Sequence, residues 1–240
     1  MGLGDTYKRV YGAICGVHPY LRPWHSQWLA GSILYRPLRA ALADIHGAVL
    51  DVGCGTKPYE SWAPHATEYA GIDVTDGPKV DAVIKPGQAW PLEDGRFDTV
   101  LCTQVLEHAI DVEHVVGEIA RVLKPGGQAI VSVPFIYNEH DPDHDYRRLA
   151  RRGVETQLAP PLKIVETTVQ GAVGSSLGVL FLNWIALSMG RSRRRLAVFV
   201  LLMPFWIVLS SLVNAAGWLL DRLDRTETCY GNVMVRAVKP

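Results

Sequence analysis

No sign of charge predominates in this chain: 24 Lys and Arg face 24 Asp and Glu. Net charge therefore lends no support to a general polyanion-binding role, and no nucleic-acid partner is expected. Cysteine is scarce too. Cys15, Cys54, Cys102 and Cys229 are scattered without metal-ligand spacing, and no secretory leader is expected at Met1. Both features favour a reducing, cytosolic compartment. Internal repeats and low-complexity runs are missing as well. Charged residues are absent from two whole stretches, Ala172 to Gly190 and Leu196 to Leu220. The length fits one domain plus an elaboration, with a sizeable core.

What is present centres on Val49-Leu50-Asp51-Val52-Gly53-Cys54-Gly55-Thr56-Lys57-Pro58-Tyr59. An apolar run ends in an acid and two closely spaced glycines, the pattern of a buried parallel strand turning into a loop. Gly53 and Gly55 allow unusual dihedrals and the close approach of a ligand to backbone amides. About twenty residues on, Tyr69 to Val74 reads as a second strand carrying Asp73, where doubly wound folds place an acid that accepts from ribose hydroxyls. A third glycine is missing, with Lys57 and Pro58 in the loop instead, so a nucleoside without phosphates fits better than a dinucleotide.

Four blocks in order, VLDVGCGT, GID, PLEDGRFDTVLCTQVLEH and ARVLKPGGQAIVSVP, cover Val49 to Pro134. Together they resemble the class I S-adenosylmethionine-dependent methyltransferases, in particular the methyltransferase type 11 group. The resemblance implies an α/β fold: a doubly wound, Rossmann-like methyltransferase sheet with a terminal antiparallel strand. It implies S-adenosyl-L-methionine as cofactor, with Asp51, Gly53 and Gly55 shaping its methionine side and Asp73 holding the ribose. The family's loop D-A-x-x-L-P, whose acid reaches adenine, aligns with Pro86-Gly87-Gln88-Ala89-Trp90-Pro91. That acid is missing, leaving Gly87 or Gln88 to hold adenine. Thr103 and Gln104, at the end of the strand Arg96 to Thr103, are placed for the methionine end or for substrate. Glu107 and His108 look catalytic alone, but the resemblance gives them a structural part, opening a helix and ordering the loop.

Residues 1–46 are rich in aromatics and proline, including His18-Pro19-Tyr20 and Arg22-Pro23-Trp24, and read as short helices broken at Pro19, Pro23 and Pro37. The resemblance implies a cap over the cofactor and substrate mouth; an aromatic cap without ligand contact is the alternative. A short helix is expected within Tyr59 to Glu68, a third strand over Val80 to Ile84, a helix over Val112 to Leu123 and a fifth strand over Gln128 to Pro134.

The most polar loop follows, Asn138 to Arg148. Methyl transfer from a sulfonium is an in-line displacement in which the protein chiefly aligns donor and acceptor. A hydroxyl acceptor must also lose a proton, and histidine titrates near neutrality. His140 and His144 are the candidates, oriented by Asp141, Asp143 or Asp145. These residues can also be read as a divalent-metal cluster, although no metal is expected. The plain alternative has Asp143 or Asp145 capping a helix near Tyr146, with solvated histidines. Arg147, Arg148, Arg151 and Arg152 read as a solvated helix face or a contact for lipid phosphate.

Leu162 to Val169 and Tyr230 to Val238 alternate as strands do. Between them, residues 172–228 form a hydrophobic helical hairpin inserted between the last two strands, with Arg191, Arg193, Arg194 and Arg195 at its turn. Each apolar half reaches the roughly 20 residues needed to cross a bilayer. A spanning hairpin, however, puts those arginines on the far side, against the positive-inside tendency. A hairpin dipping into one leaflet is preferred, with the arginines on headgroups; spanning, or a buried lid or dimer contact, are the alternatives. The methyltransferase domain is then 47–171 with 229–240. The expected function is O-methylation of a lipid-linked or glycan substrate, or another small-molecule acceptor, at the cytoplasmic face of a membrane. The rivals are a soluble small-molecule methyltransferase and a non-catalytic membrane-anchored scaffold.

Overall fold

Runs of Val, Ile and Leu become strands: β1 (His46–Val52), β2 (His65–Asp73), β3 (Ala82–Val83), β4 (Phe97–Thr103), β5 (Leu123–Pro134), β6 (Lys163–Gln170) and β7 (Asn232–Val238). In this computed structural model, which describes residues 3–16, 21–190 and 192–240, they form one sheet in the order β3-β2-β1-β4-β5-β7-β6. Neighbours from β3 through β5 pair in parallel, and β7 runs antiparallel to β5. The order reverses between β1 and β4, and ligands of open α/β sheets sit beyond the strand ends at such a point.

The helices are α1 (Leu3–Cys15), α2 (Trp28–Ala43), α3 (Val112–Val122), α4 (Arg151–Leu158), α5 (Val173–Gly190), α6 (Arg193–Leu201) and α7 (Met203–Leu223). The chain divides into two compact units: residues 38–135, 139–169 and 232–240 around the sheet, and residues 1–37, 136–138 and 170–231 around the apolar helices. In the sheet unit, Leu38 and Leu42 of α2 pack with Ile45, Val49, Leu101 and Ile130 in a fully buried cluster.

Several local expectations need correction. The stretch 59–68 holds only a short 3-10 turn, Glu60–Trp62, before β2 starts at His65; Pro64 bars further helix. Pro37 lies inside α2 and does not break it, because Leu38 and Leu42 beyond it are wholly buried. The helix expected near Tyr146 begins at Arg151, and its N-cap Ala150 supplies no side-chain bond, so neither Asp143 nor Asp145 caps it. Pro19, His18 and Tyr20 lie outside the described residues, as does Arg191 in the hairpin turn.

In the second unit α5 and α7 pack against each other through glycine. A Cβ on Gly174 would stand 2.1 Å from the Gly217 carbonyl oxygen. Carboxylates at the end of α7 meet the opening amides of α5: Asp221 accepts from Ser175 N at 2.8 Å and Asp224 from Val173 N at 3.1 Å. That is favourable at a helix N-terminus. Several polar side chains of the hairpin find partners within this unit, although Trp206 Nε1 and Asn214 Oδ1 are buried without one. Asn214 donates to the carbonyls of Pro23 and His25 at 2.6 and 2.8 Å, while Asn183 accepts from Gln27 and donates to Asn138. Pro204 falls in the first turn of α7, where it costs no helical bond.

Candidate functional site

The loop after β1 is an elbow closed by β2. Gly53 and Gly55 have φ of 70° and 49°, left-handed values that favour glycine. Gly53 N donates to Ile72 O at 2.8 Å. Gly55 N donates to Asp73 Oδ2 at 3.0 Å, and Asp73 Oδ1 accepts from Thr75 N at 3.0 Å. Each oxygen of Asp73 keeps a further lone pair, since an ionised carboxylate offers about four acceptor sites. Asp51 is 1% exposed and accepts from the Tyr69 hydroxyl at 2.9 Å. Burial pushes its carboxyl up to about 7, against the Tyr69 hydrogen bond and the charge of Lys57.

Lys57 stands one residue before Pro58, which takes the place of a dinucleotide fingerprint's third glycine, and it has a structural task. Its backbone is left-handed, φ 52°. Its buried ammonium donates to Tyr69 O at 3.0 Å and to Asp81 Oδ2 at 2.6 Å, and Asp81 also accepts from Gly71 N. The side chain thus fastens the elbow to the end of β2. Gly71 makes room for it, since a Cβ there would meet Cys54 Sγ and Lys57 Cε at 2.6 Å.

Beyond β3, Gly87 is left-handed, φ 71°, in a turn closed by Gln88 N on Lys85 O at 3.1 Å. His114 of α3 pins this turn through Nε2 and Gln88 O, 3.0 Å apart. The nearby acids Asp94 and Glu118 are engaged by Arg121. At the end of β4, Thr103 is buried, while Gln104, φ 56°, points its amide along the sheet and donates to Asn232 Oδ1 at 2.9 Å.

The turn after Gln104 adjoins the elbow: a Cβ on Gly53 would lie 2.5 Å from Val105 Cγ2. Glu107 and His108 follow in this turn and open no helix, because α3 begins only at Val112, capped by Asp111. The turn is held from the polar loop. Arg147 donates to the carbonyls of Leu106, Ala109 and Ile110, and Tyr146 N donates to Glu107 O at 2.9 Å. Arg148 forks the Asp145 carboxylate at 2.5 and 2.6 Å. Arg147 and Arg148 are therefore internal fasteners, not part of a solvated face. That fork holds the Asp145 carboxyl down to about 2.

His140 comes to His108, with their Nε2 atoms 3.1 Å apart. His108 Nδ1 lies 2.9 Å from the backbone oxygen of His144. His140 Nδ1 lies 3.2 Å from Asp145 Oδ2; Arg148 Nη2 is farther, at 3.5 Å. Glu107 is 1% exposed, and neither carboxylate oxygen makes a hydrogen bond of acceptable geometry. Its Oε1 lies 3.9 Å from His108 Nε2. Burial raises this carboxyl to about 7, offset in part by its own amide and by Arg148. His144, by contrast, turns outward, its side chain 64% exposed and 3.4 Å from Asp141.

Residues 50–131 match the methyltransferase domain family of type 11. The matched stretch is similar to a methyltransferase domain, and the rest of the chain lies outside the match. A ubiquinone biosynthesis O-methyltransferase of Pseudomonas paraeruginosa is 33% identical over 109 residues, an alignment covering 39% of this chain and 46% of the relative. The chain thus spans about half the length of the curated relatives it matches. Among solved structures, the [4+2]-cyclase SpnF aligns with a TM-score of 0.57 at 20% identity, covering 89% of this chain and 82% of its own. Phosphoethanolamine N-methyltransferase 2 of Haemonchus contortus, in complex with S-adenosyl-L-methionine, aligns with a TM-score of 0.52 at 16% identity, covering 100% of this chain and 60% of its own. A cyclase on the same fold makes the point that architecture leaves the chemistry to the site.

Within the sheet unit, Asp51, Gly53, Gly55 and Asp73 come together at the elbow, and Gly87 with Gln88 form a separate exposed turn. Of the two histidines expected to act, only His140 enters a cluster. Sequence reasoning passed over Glu107 and His108 as partners for it. Their signal was an acid and an imidazole directly after a strand end.

Proposed function

We propose that the chain transfers a methyl group from S-adenosyl-L-methionine to an oxygen of a small-molecule acceptor, lipid-linked or glycan, at the cytoplasmic face of a membrane. The observation that carries the methyl-donor half is the elbow. Two left-handed glycines and the Asp73 carboxylate stand at the ends of β1 and β2, beside the point where strand order reverses. Asp73 has acceptor capacity left for two ribose hydroxyls, the left-handed glycines shape the elbow for the methionine end with their own amides engaged by Ile72 O and Asp73, and the turn at Gly87 and Gln88 offers backbone groups to adenine. Thr103 and Gln104 line the end of β4 on the methionine side. The acceptor's proton leaves at the neighbouring cluster of Glu107, His108 and His140, in which Asp145 orients His140. His144 serves that cluster through its backbone oxygen.

An oxygen acceptor is favoured by relatives that bear the name ubiquinone biosynthesis O-methyltransferase. The membrane half rests on the second unit. Leu177, Phe181, Trp184 and Leu187 on α5, and Phe205, Val208, Leu212, Leu219 and Leu223 on α7, are exposed at helical spacing. Each set makes an apolar stripe on one helix face. α7, at 21 residues, is long and apolar enough to cross a membrane by length and composition. A second reading has one observation of its own: buried Asn183 and Asn214 are tied to the N-terminal segment, as in a packed helical bundle whose stripe a second copy covers.

Calorimetry with S-adenosyl-L-methionine tests the elbow. A hydrogen bond to a charged acceptor contributes about 1.5–3 kcal/mol, so Asp73→Ala weakens binding by about one to two decades. Unchanged affinity in that variant removes the ribose assignment.

A further inference from the structure

Glu107, His108 and His140 place three ligand atoms within 4.8 Å of one another, the one such group of His, Cys, Asp or Glu among the described residues. The neighbours of each ring bear on what its nitrogens present. A backbone carbonyl only accepts, so His108 Nδ1 carries its hydrogen toward His144 O. His140 Nδ1 has the Asp145 carboxylate as its nearer neighbour, 3.2 Å away, with Arg148 Nη2 at 3.5 Å, and a hydrogen on Nδ1 would face that carboxylate. In each neutral ring the remaining nitrogen, Nε2, then carries a lone pair. In that arrangement two lone pairs face each other 3.1 Å apart, a contact relieved by a cation or a shared proton between them. Metal-bound histidines are oriented in this manner, with the outer nitrogen donating to a carboxylate or a backbone carbonyl. Beside them, the Glu107 carboxylate is buried without a hydrogen-bond partner, an expensive placement unless a positive charge meets it.

We infer that Glu107, His108 and His140 form a binding site for a divalent transition-metal cation, with zinc the best match. Two imidazoles and a carboxylate suit zinc. Nitrogens each about 2.0–2.1 Å from a tetrahedral ion stand roughly 3.3 Å apart, close to the separation of the two Nε2 atoms. Glu107 approaches by a small rotation of its side chain. Three protein ligands leave a fourth position open, and a hydroxyl bound there loses its proton more readily. The role in catalysis rests on the methyl-transfer reading: the acceptor oxygen gives its proton to solvent, takes the methyl group as the sulfur–carbon bond breaks, and a neutral thioether leaves. Metal binding itself does not rest on that reading.

The full chain, stripped of metal with a chelator, is titrated with zinc chloride by calorimetry and with cobalt(II) by visible absorption. The expected result is one ion per chain, with tetrahedral cobalt bands, and affinity at least tenfold weaker in Glu107→Gln, His108→Ala and His140→Ala. Asp145→Asn, which touches no metal, weakens binding about 10- to 100-fold by loosening His140. Circular dichroism and S-adenosyl-L-methionine affinity are read on every variant, so an unfolded protein, or a failure of the methyl-donor site, is distinguished from loss of the ion. No saturable binding, or binding that survives all three ligand substitutions, overturns the proposal. So does a nitrogen NMR spectrum showing one proton shared between His108 and His140 in the presence of excess zinc.

Discussion

Asp51 is held out of water at the end of β1, with the Tyr69 hydroxyl as its hydrogen-bond partner, and that placement gives the ligand-free protein a pH signature. Its carboxyl rises from 3.8 to about 7 on folding. The folded chain therefore holds this proton more tightly than the unfolded one, and the unfolded state binds fewer protons between those values. Stability from Asp51 is full below about pH 4, declines as pH rises toward 7 and is flat above. The span is at most about 4 kcal/mol at roughly 1.4 kcal/mol per unit. Glu107, raised by burial too, adds a slope of the same sign. Asp145, held down to about 2, works oppositely and loses its contribution as pH falls from about 4 toward 2. Urea unfolding of Asp51→Asn across pH 4 to 8 should show a visibly shallower decline than the wild type; an identical slope assigns the effect elsewhere. Asp51, Gly53, Gly55 and Asp73 were legible because acids and glycines at strand ends leave a local pattern. Glu107, His108 and His140 were not legible as a cluster, since they meet only when the polar loop folds back on the turn after β4.

Elements were read well where apolar periodicity was sustained and poorly where a single residue decided. β1, β4 and α3 lie where their patterns put them, because their apolar positions pack into one core. The expected helix after the elbow shrank to one turn before Pro64. Pro37, by contrast, failed to stop α2, where burial of the following leucines outweighs a lost hydrogen bond. The Arg147 and Arg148 pair was misread because a basic run looks solvated until the carbonyls and carboxylate it meets are known. In the apolar unit, the α5 and α7 crossing depends on Gly174 against Gly217. Gly174→Ala forces the helices apart; overpacking of this kind costs about 1–3 kcal/mol. The melting temperature should fall by several degrees, read by circular dichroism, whereas an unchanged melt would mean the two helices do not cross there.

For the molecule as a whole, the sequence pointed to a doubly wound sheet and an apolar insertion, but not that the insertion joins residues 1–37 in one compact unit. That union rests on long-range contacts, such as Asn214 with Pro23 and His25, which no local pattern encodes. The exposed stripes on α5 and α7 leave large apolar side chains facing outward, among them Trp184 and Phe205, 64% and 72% exposed. A lipid surface or a second copy is the natural cover. The most direct measurement supplies radiolabelled S-adenosyl-L-methionine to the purified chain with cell membranes and follows where the methyl label goes. Label in the lipid-extractable fraction is expected, reduced by Asp73→Ala at sub-saturating donor and strongly reduced by Trp184→Lys with Phe205→Lys. Label confined to water-soluble products, from a chain that forms a stable dimer in plain buffer and stays off vesicles, would contradict the membrane assignment. No transfer at all, with the donor bound, would contradict the account as a whole.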